Sequence, residues 1–273
     1  MQGAGLTRLE SFPPGGQALV VGASGGIGAA LLAELEACGR FARVTGWSRR
    51  AGQIDLEDEQ SIARAVATLD GGPPLRLAIC ATGLLHDASQ QPEKSWRAMD
   101  AATLLRAYAI NAVGPALLAK HLLPLLPAEG KSAFAALSAR VGSIGDNRLG
   151  GWHAYRASKA ALNMLLRNLA MELGRRKPEA LCVGLHPGTV DTPLSAPSRP
   201  MWRRAGSSPP PSPPSGCWRC WKGCGRRTVA RSSPGTGSAW SPEAPQRRAG
   251  SSSARARSAS SASQAVKSPP CST

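Results

Sequence analysis

A short apolar stretch, Gln17–Val21, runs directly into Gly22-Ala23-Ser24-Gly25-Gly26-Ile27-Gly28. Straight after the glycines, Ile27, Leu31 and Leu35 recur at helical spacing, and Gly39 ends the pattern. Strand, glycine turn and helix in immediate succession open a unit of an α/β fold. Gly22 permits a tight turn, Gly26 lets backbone approach a phosphate, and Gly28 lets helix and strand pack closely. Such a turn cradles a pyrophosphate at a helix N-terminus, and Ser24 and Ile27 fall inside that cradle.

The alternation continues down the chain. Arg43–Trp47 reads as a second strand and Ser61–Leu69 as an amphipathic helix. Leu75–Cys80 is a buried strand that ends at Thr82-Gly83. Residues 101–126 are helical, with interruptions expected near Gly114-Pro115 and Pro124. Ser132–Leu137 is a strand, Tyr155–Leu173 a helix stopped by Gly174, and Leu181–Leu185 a further strand before His186-Pro187-Gly188. Strand and helix in strict alternation imply an α/β fold: a Rossmann-like doubly wound parallel sheet with helices on both faces. The expected organisation is a short leader over 1–16, a dinucleotide-binding domain over 17–195 and a low-complexity tail over 196–273.

The formal charge of +16 would suggest a nucleic-acid partner if it were evenly spread. It is not. Residues 1–195 hold 20 Lys+Arg against 16 Asp+Glu, while 196–273 hold 13 against 1. The globular part is only mildly basic, so nucleic acid is not favoured. No uninterrupted apolar run reaches the roughly 18–20 residues of a membrane span, and no membrane association is expected. Residues 1–16 show no apolar secretory core, and Cys38, Cys80 and Cys182 sit in apolar segments as small hydrophobes. A reducing cytoplasm is the expected location.

The chemistry is concentrated in Tyr155-Arg156-Ala157-Ser158-Lys159. A tyrosine four residues before a lysine puts phenol and ammonium on one helix face. In isolation that spacing describes a surface pair. Here it follows a glycine cradle, with Asn111 between them. The cradle is spaced Gly-x-x-x-Gly-x-Gly, and this resembles the short-chain dehydrogenase/reductase family. The resemblance covers about residues 17–195. It is nearest the C-factor-like and sniffer-like carbonyl reductases, through Gly83-Leu84-Leu85-His86-Asp87, Gly151 to Asn163, and His186-Pro187-Gly188-Thr189-Val190-Asp191-Thr192-Pro193.

That resemblance implies a carbonyl reductase acting on a small-molecule aldehyde or ketone, in a homodimer or homotetramer. Tyr155 would be the proton donor. Lys159 and the cationic nicotinamide of the oxidised cofactor would together lower the phenol pKa, and Lys159 would bind the nicotinamide ribose. Asn111 would kink its helix and hold a relay water. Gly83, Pro187, Gly188, Val190 and Thr192 would line the cofactor. After the second strand the chain reads Ser48-Arg49-Arg50, with no acid to bind a ribose hydroxyl. A guanidinium at Arg49 suits a 2′-phosphate, which favours NADP(H). Asp55 resembles an adenine-contacting residue and equally fits a local cap.

Two departures stand out. Where the family has a second serine after the fourth sheet strand, this chain has Ala139, so Ser138 or Ser143 must supply the hydroxyl; Ser138 is taken first. Cys80-Ala81-Thr82-Gly83 replaces the family's Asn-Asn-Ala-Gly. His86 and His186 show no metal-ligand spacing.

Of the 78 residues from 196 to 273, 12 are Pro, 7 Gly and 18 Ser, a composition expected to be disordered. Cys217, Cys220 and Cys224 lack an obvious fourth metal ligand. The family continues past Pro193 with a helix and a last strand. Read from the third codon base, Cys217 to Trp240 can encode an amphipathic helix, an acidic turn and an apolar strand. The tail is therefore expected to arise from a frameshift, which the nucleotide sequence decides.

Overall fold

The computed structural model describes residues 9–188, 190 and 194. Five parallel strands form one sheet: β1 (Gln17–Val21), β2 (Arg43–Trp47), β3 (Leu75–Cys80), β4 (Ser132–Leu137) and β5 (Ala180–Leu185), in the order β2-β1-β3-β4-β5. The order reverses at β1, where consecutive connections leave in opposite directions across the sheet. Ligands of such sheets bind at the carboxyl ends of the strands beside that switch. Gly22, Gly83, Ser138 and Pro187 all follow strand C-termini.

Alternation along each strand separates two cores. Leu19 and Val21 of β1, Phe134 of β4 and Cys182 of β5 face α2 (Glu59–Ala67), α4 (Gly114–Leu122) and α5 (His153–Arg176). Ala18, Val20, Ile79 and Val183 face the other way, against Leu31 and Leu35 of α1 (Gly26–Ala37). Leu9 and Phe12, placed before the domain by the sequence reading, are buried in this second core. Arg40 secures that segment by donating from Nε to Phe12 O at 2.8 Å.

The amino ends of the strands are tied by polar contacts. Arg76 donates to Glu129 O at 2.7 Å, Gly130 N donates to Glu179 Oε2 at 2.6 Å, and Lys131 reaches Ser11 Oγ at 2.9 Å.

Two sequence expectations need correction and a third gains detail. Gly174 does not stop α5; the helix runs on to Arg176. Glycine within a helix costs only about 1 kcal/mol, whereas Pro178 forces Lys177 out of the helical region, to φ −135° and ψ 79°. The interruption expected near Gly114-Pro115 is a π-turn over Ala109–Val113, between α3 (Ala101–Tyr108) and α4, and the one expected near Pro124 is a 3-10 turn over Leu123–Leu125. Pro115 cannot donate to the carbonyl four residues back, and the wider turn absorbs that mismatch. Finally, the path Ala101–Leu125 is long and apolar enough to cross a membrane by length and composition. In the fold, its Ala112, Leu118, Ala119 and Leu122 pack into the domain core instead. The readings made for residues 196–273, and for Thr192, lie outside the described residues.

Candidate active site

The glycine turn has the geometry a phosphate cradle requires. Gly22 sits at φ +89°, and its N–H donates to Trp47 O at 2.8 Å, tying the turn to β2. A Cβ on Gly28 would lie 2.1 Å from Gly22 O, so the helix approaches as closely as it does only because Gly28 has no side chain. Gly25, the N-cap of α1, provides no side-chain acceptor for the first-turn N–H groups. Ser24, Gly25 and Gly26 are exposed there, and Ile27 packs against the core. Uncapped N–H groups at an open helix start suit an anion. The residues present therefore fit a dinucleotide pyrophosphate.

At the end of β2, Arg49 and Arg50 are exposed. Arg49 Nη1 lies 3.2 Å from Glu57 Oε2. Asp55 accepts from Glu57 N at 3.0 Å through Oδ1, and its own N–H donates to Ser61 Oγ at 2.9 Å. Its carboxylate thus closes a local turn, but the helix cap the sequence reading allowed it is Asp58, whose side chain accepts from Gln60 N at 2.9 Å.

Beyond β3 the site closes in. A Cβ on Gly83 would sit 3.6 Å from both Asn111 Oδ1 and Lys159 Nζ. Asn111 is fully buried in the π-turn. Its Oδ1 accepts from Leu84 N at 2.7 Å, and its Nδ2 donates to Leu84 O at 2.7 Å and to Ser158 Oγ at 3.1 Å. The amide therefore fastens the loop after β3 to α5. Helix disruption at Asn111 is as expected, but both amide N–H bonds are already used by protein groups. Cys80 and Thr82, where the family has amides, meet each other at 3.2 Å between Sγ and Oγ1.

On α5, Lys159 Nζ lies 5.9 Å from the Tyr155 ring centroid. It donates to Leu137 O at 2.7 Å, at the end of β4. Lys159 is only 2% exposed. Burial pushes its ammonium down to about 8 and pushes the Tyr155 phenol up to about 12. The sequence reading expected Lys159, together with the cationic nicotinamide of the oxidised cofactor, to lower the phenol pKa; in the chain itself, loss of water around the phenol raises it.

The two candidate serines flank the same lysine. Ser138 follows Leu137, and its Oγ donates to Asn163 Oδ1 at 2.6 Å. Ser143 is buried and accepts from Asp146 N at 3.2 Å. It adjoins Gly142, where a Cβ would come within 2.9 Å of Lys159 Cβ. Ala139 stands at the second-serine position with an extended backbone. After β5, Gly188 turns the chain at φ +76°, and Val190 is buried.

Sequence reasoning missed Glu93, Trp152 and Asn163. Glu93 is a buried acid in a polar loop, and no spacing distinguishes it from its exposed neighbours. Asn163 lies four residues after Lys159, a helical interval that could have brought it into view. Among the described residues no group of three His, Cys, Asp or Glu side chains could hold a metal ion.

The model of the short chain dehydrogenase family matches residues 17–202. This chain belongs to the short-chain dehydrogenase family. C-signal of Myxococcus xanthus is 40% identical over 100 residues, which is 36% of this chain and 58% of that protein. The chain spans about half the length of the curated relatives it matches. The carbonyl reductase Sniffer of D. melanogaster has a similar fold, with TM-score 0.57, 24% identity and coverage of 77% of this chain and 91% of that one. The NADPH-bound carbonyl reductase from chicken fatty liver aligns at TM-score 0.54 and 24% identity, over 71% and 84%.

Proposed function

We propose that this short-chain dehydrogenase reduces an aldehyde or ketone with NADPH, using residues 17–195 as its catalytic unit. The observation that carries the reading is the convergence of Gly83, Asn111, Lys159 and Leu137 O around the start of α5, beside an open glycine cradle. A bound nicotinamide would supply hydride to the carbonyl carbon. Tyr155 supplies the proton: its O–H bond breaks as the product hydroxyl forms, leaving a phenolate. Lys159 stabilises that phenolate by its charge. Its Nζ spends one N–H on Leu137 O, so two remain for the ribose hydroxyls. The first-turn N–H groups of α1 hold the pyrophosphate, and Pro187, Gly188, Val190 and Thr192 would border the carboxamide. Ser138 or Ser143 polarises the carbonyl oxygen.

NADPH is preferred over NADH because Ser48-Arg49-Arg50 follows β2 with no acid in that stretch to take the ribose hydroxyl, and the Glu57 that pairs with Arg49 does so on the exposed surface. The NADPH held by the chicken reductase, which shares this fold, supports the same choice. A panel of aldehydes and ketones assayed with each cofactor tests the reading. Binding of NADPH without turnover of any carbonyl would instead support a non-catalytic dinucleotide-binding relative. Ala139 at the second-serine position is the observation favouring that second reading.

A further inference from the structure

Gly150, Gly151 and Trp152 occupy the left-handed region in succession, at φ +62°, +64° and +52°. Trp152 is the one non-glycine residue with positive φ among the described residues. A bulky residue is rarely stable there and needs surrounding structure to hold it. The next residues begin α5, which carries Tyr155 in its first turn. Trp152 also packs edge-on against Tyr155, with ring centroids 6.5 Å apart.

A single residue meets this turn at three points. Glu93 O accepts from Trp152 N at 2.6 Å. Its carboxylate Oε1 accepts from Ala154 N at 3.1 Å. A Cβ on Gly151 would stand 3.3 Å from Glu93 O, so the carbonyl is closely seated on the turn. Glu93 is 6% exposed, and Ala154 is buried. Trp152, the N-cap, has no side-chain acceptor for the first-turn donors of α5. A carboxylate arriving from 61 positions earlier in the chain replaces it.

We propose that Glu93 is a positioning residue for Tyr155, holding the left-handed turn and the first turn of α5 so that the phenol stays in its partly buried seat. The proposal rests on the reductase reading for its kinetic consequence, but its geometry is independent of it. Glu93 touches neither substrate nor cofactor in this role. It acts through Trp152 and Ala154.

The test uses the full-length protein and two readouts. The chain has two tyrosines, so a Tyr108→Phe background leaves Tyr155 as the sole 13Cζ-tyrosine NMR signal. Glu93→Ala should release the phenol toward solvent. Its titration should move from about 12 toward the ordinary value near 10, within the pH range where circular dichroism reports a folded protein. With NADPH and an accepted carbonyl, kcat should fall about tenfold or more while KM for NADPH changes less than about twofold. Glu93→Gln keeps an oxygen facing Ala154 N and should restore both readouts. If Glu93→Ala fails to fold, Glu93→Asp takes its place, because one methylene less withdraws the carboxylate.

A merely structural role would lower Tm and leave both the phenol titration and kcat of the folded fraction unchanged, and that result overturns the proposal. So does a Gln variant as impaired as the Ala variant, since charge rather than hydrogen-bond position would then be at work. If the parent protein reduces no carbonyl at all, the reductase reading fails by itself, and the tyrosine titration alone decides the role of Glu93.

Discussion

Ser138 Oγ donates to Asn163 Oδ1 across 2.6 Å, while Asn163 Nδ2 is buried without a partner. A serine hydroxyl has one proton. Engaged with Asn163, Ser138 can accept a hydrogen bond but has none to give a carbonyl oxygen. Ser143 accepts from Asp146 N and keeps its proton available. Ser143→Ala should therefore lower kcat by about a hundredfold, and Ser138→Ala by only a few-fold. The reverse order would mean that the Asn163 amide is turned, donating to Ser138 and freeing its proton.

Replacing Tyr155 with Phe removes the proton donor and little else. Turnover should drop by about a thousandfold, within the range for loss of a general acid. Tm and NADPH affinity should stay close to those of the parent. Steady-state kinetics, thermal melts and fluorescence titration with NADPH check the three outcomes. Unchanged turnover would remove the phenol from the mechanism.

Burial of Lys159 gives a pH signature with a definite sign. Its folded pKa is about 8, below the ordinary 10.5. Between those values the unfolded chain holds a proton that the folded chain has released, so this group's contribution to stability rises with pH across that window. Tyr155 acts oppositely: at about 12 against 10, its contribution falls above pH 10. Between about pH 7.5 and about pH 9.5, the change in Tm of the parent should be more positive than that of Lys159→Met. Catalytic efficiency toward NADPH should decline above the same lysine pKa, as the charge is lost. A parent and a methionine variant that respond identically to pH would show that Lys159 does not titrate in that range.

Arg49 and Arg50 are expected to read a 2′-phosphate. Neutral replacements should weaken NADPH far more than NADH, and equal losses would show no such reading. Arg49 already pairs with Glu57 on the surface. Exposed pairs contribute about 0–1 kcal/mol, so Glu57→Gln should tighten NADPH by no more than about fivefold. Isothermal titration with both cofactors resolves all three variants.

Gly28→Ala places a methyl 2.1 Å from Gly22 O and 2.8 Å from Gly22 C, both backbone atoms that cannot swing aside. Overpacking of this kind costs roughly 1–3 kcal/mol, and it should also displace α1 from the cradle. Lower Tm together with weaker NADPH binding is expected. Retention of both would mean the turn relaxes freely.

Much of this was legible in the sequence because local rules were enough. The strands β1 to β4 run where apolar stretches end at glycine, polar residues or a turn, and the Gly22–Gly28 cradle declares itself by residue type. Tyr155 and Lys159 were found by helical spacing. What escaped depends on contacts between distant segments. Glu93 acts on Ala154 from 61 positions away, and nothing in its neighbourhood marks it. The fate of the Ser138 proton depends on Asn163, across 25 positions. The upward push on the Tyr155 phenol in the chain itself also escaped, because spacing reports a nearby ammonium but not the loss of water around the ring.

The functional groups lie beyond the carboxyl ends of the strands, while Arg40, Arg76, Glu179 and Lys131 fasten the opposite rim. That rim offers a chemically quiet handle. A tether, a dye or an immobilising support attached there would leave the open cofactor cradle unobstructed, and a force applied through it would pull on the strand starts before it reached the machinery above.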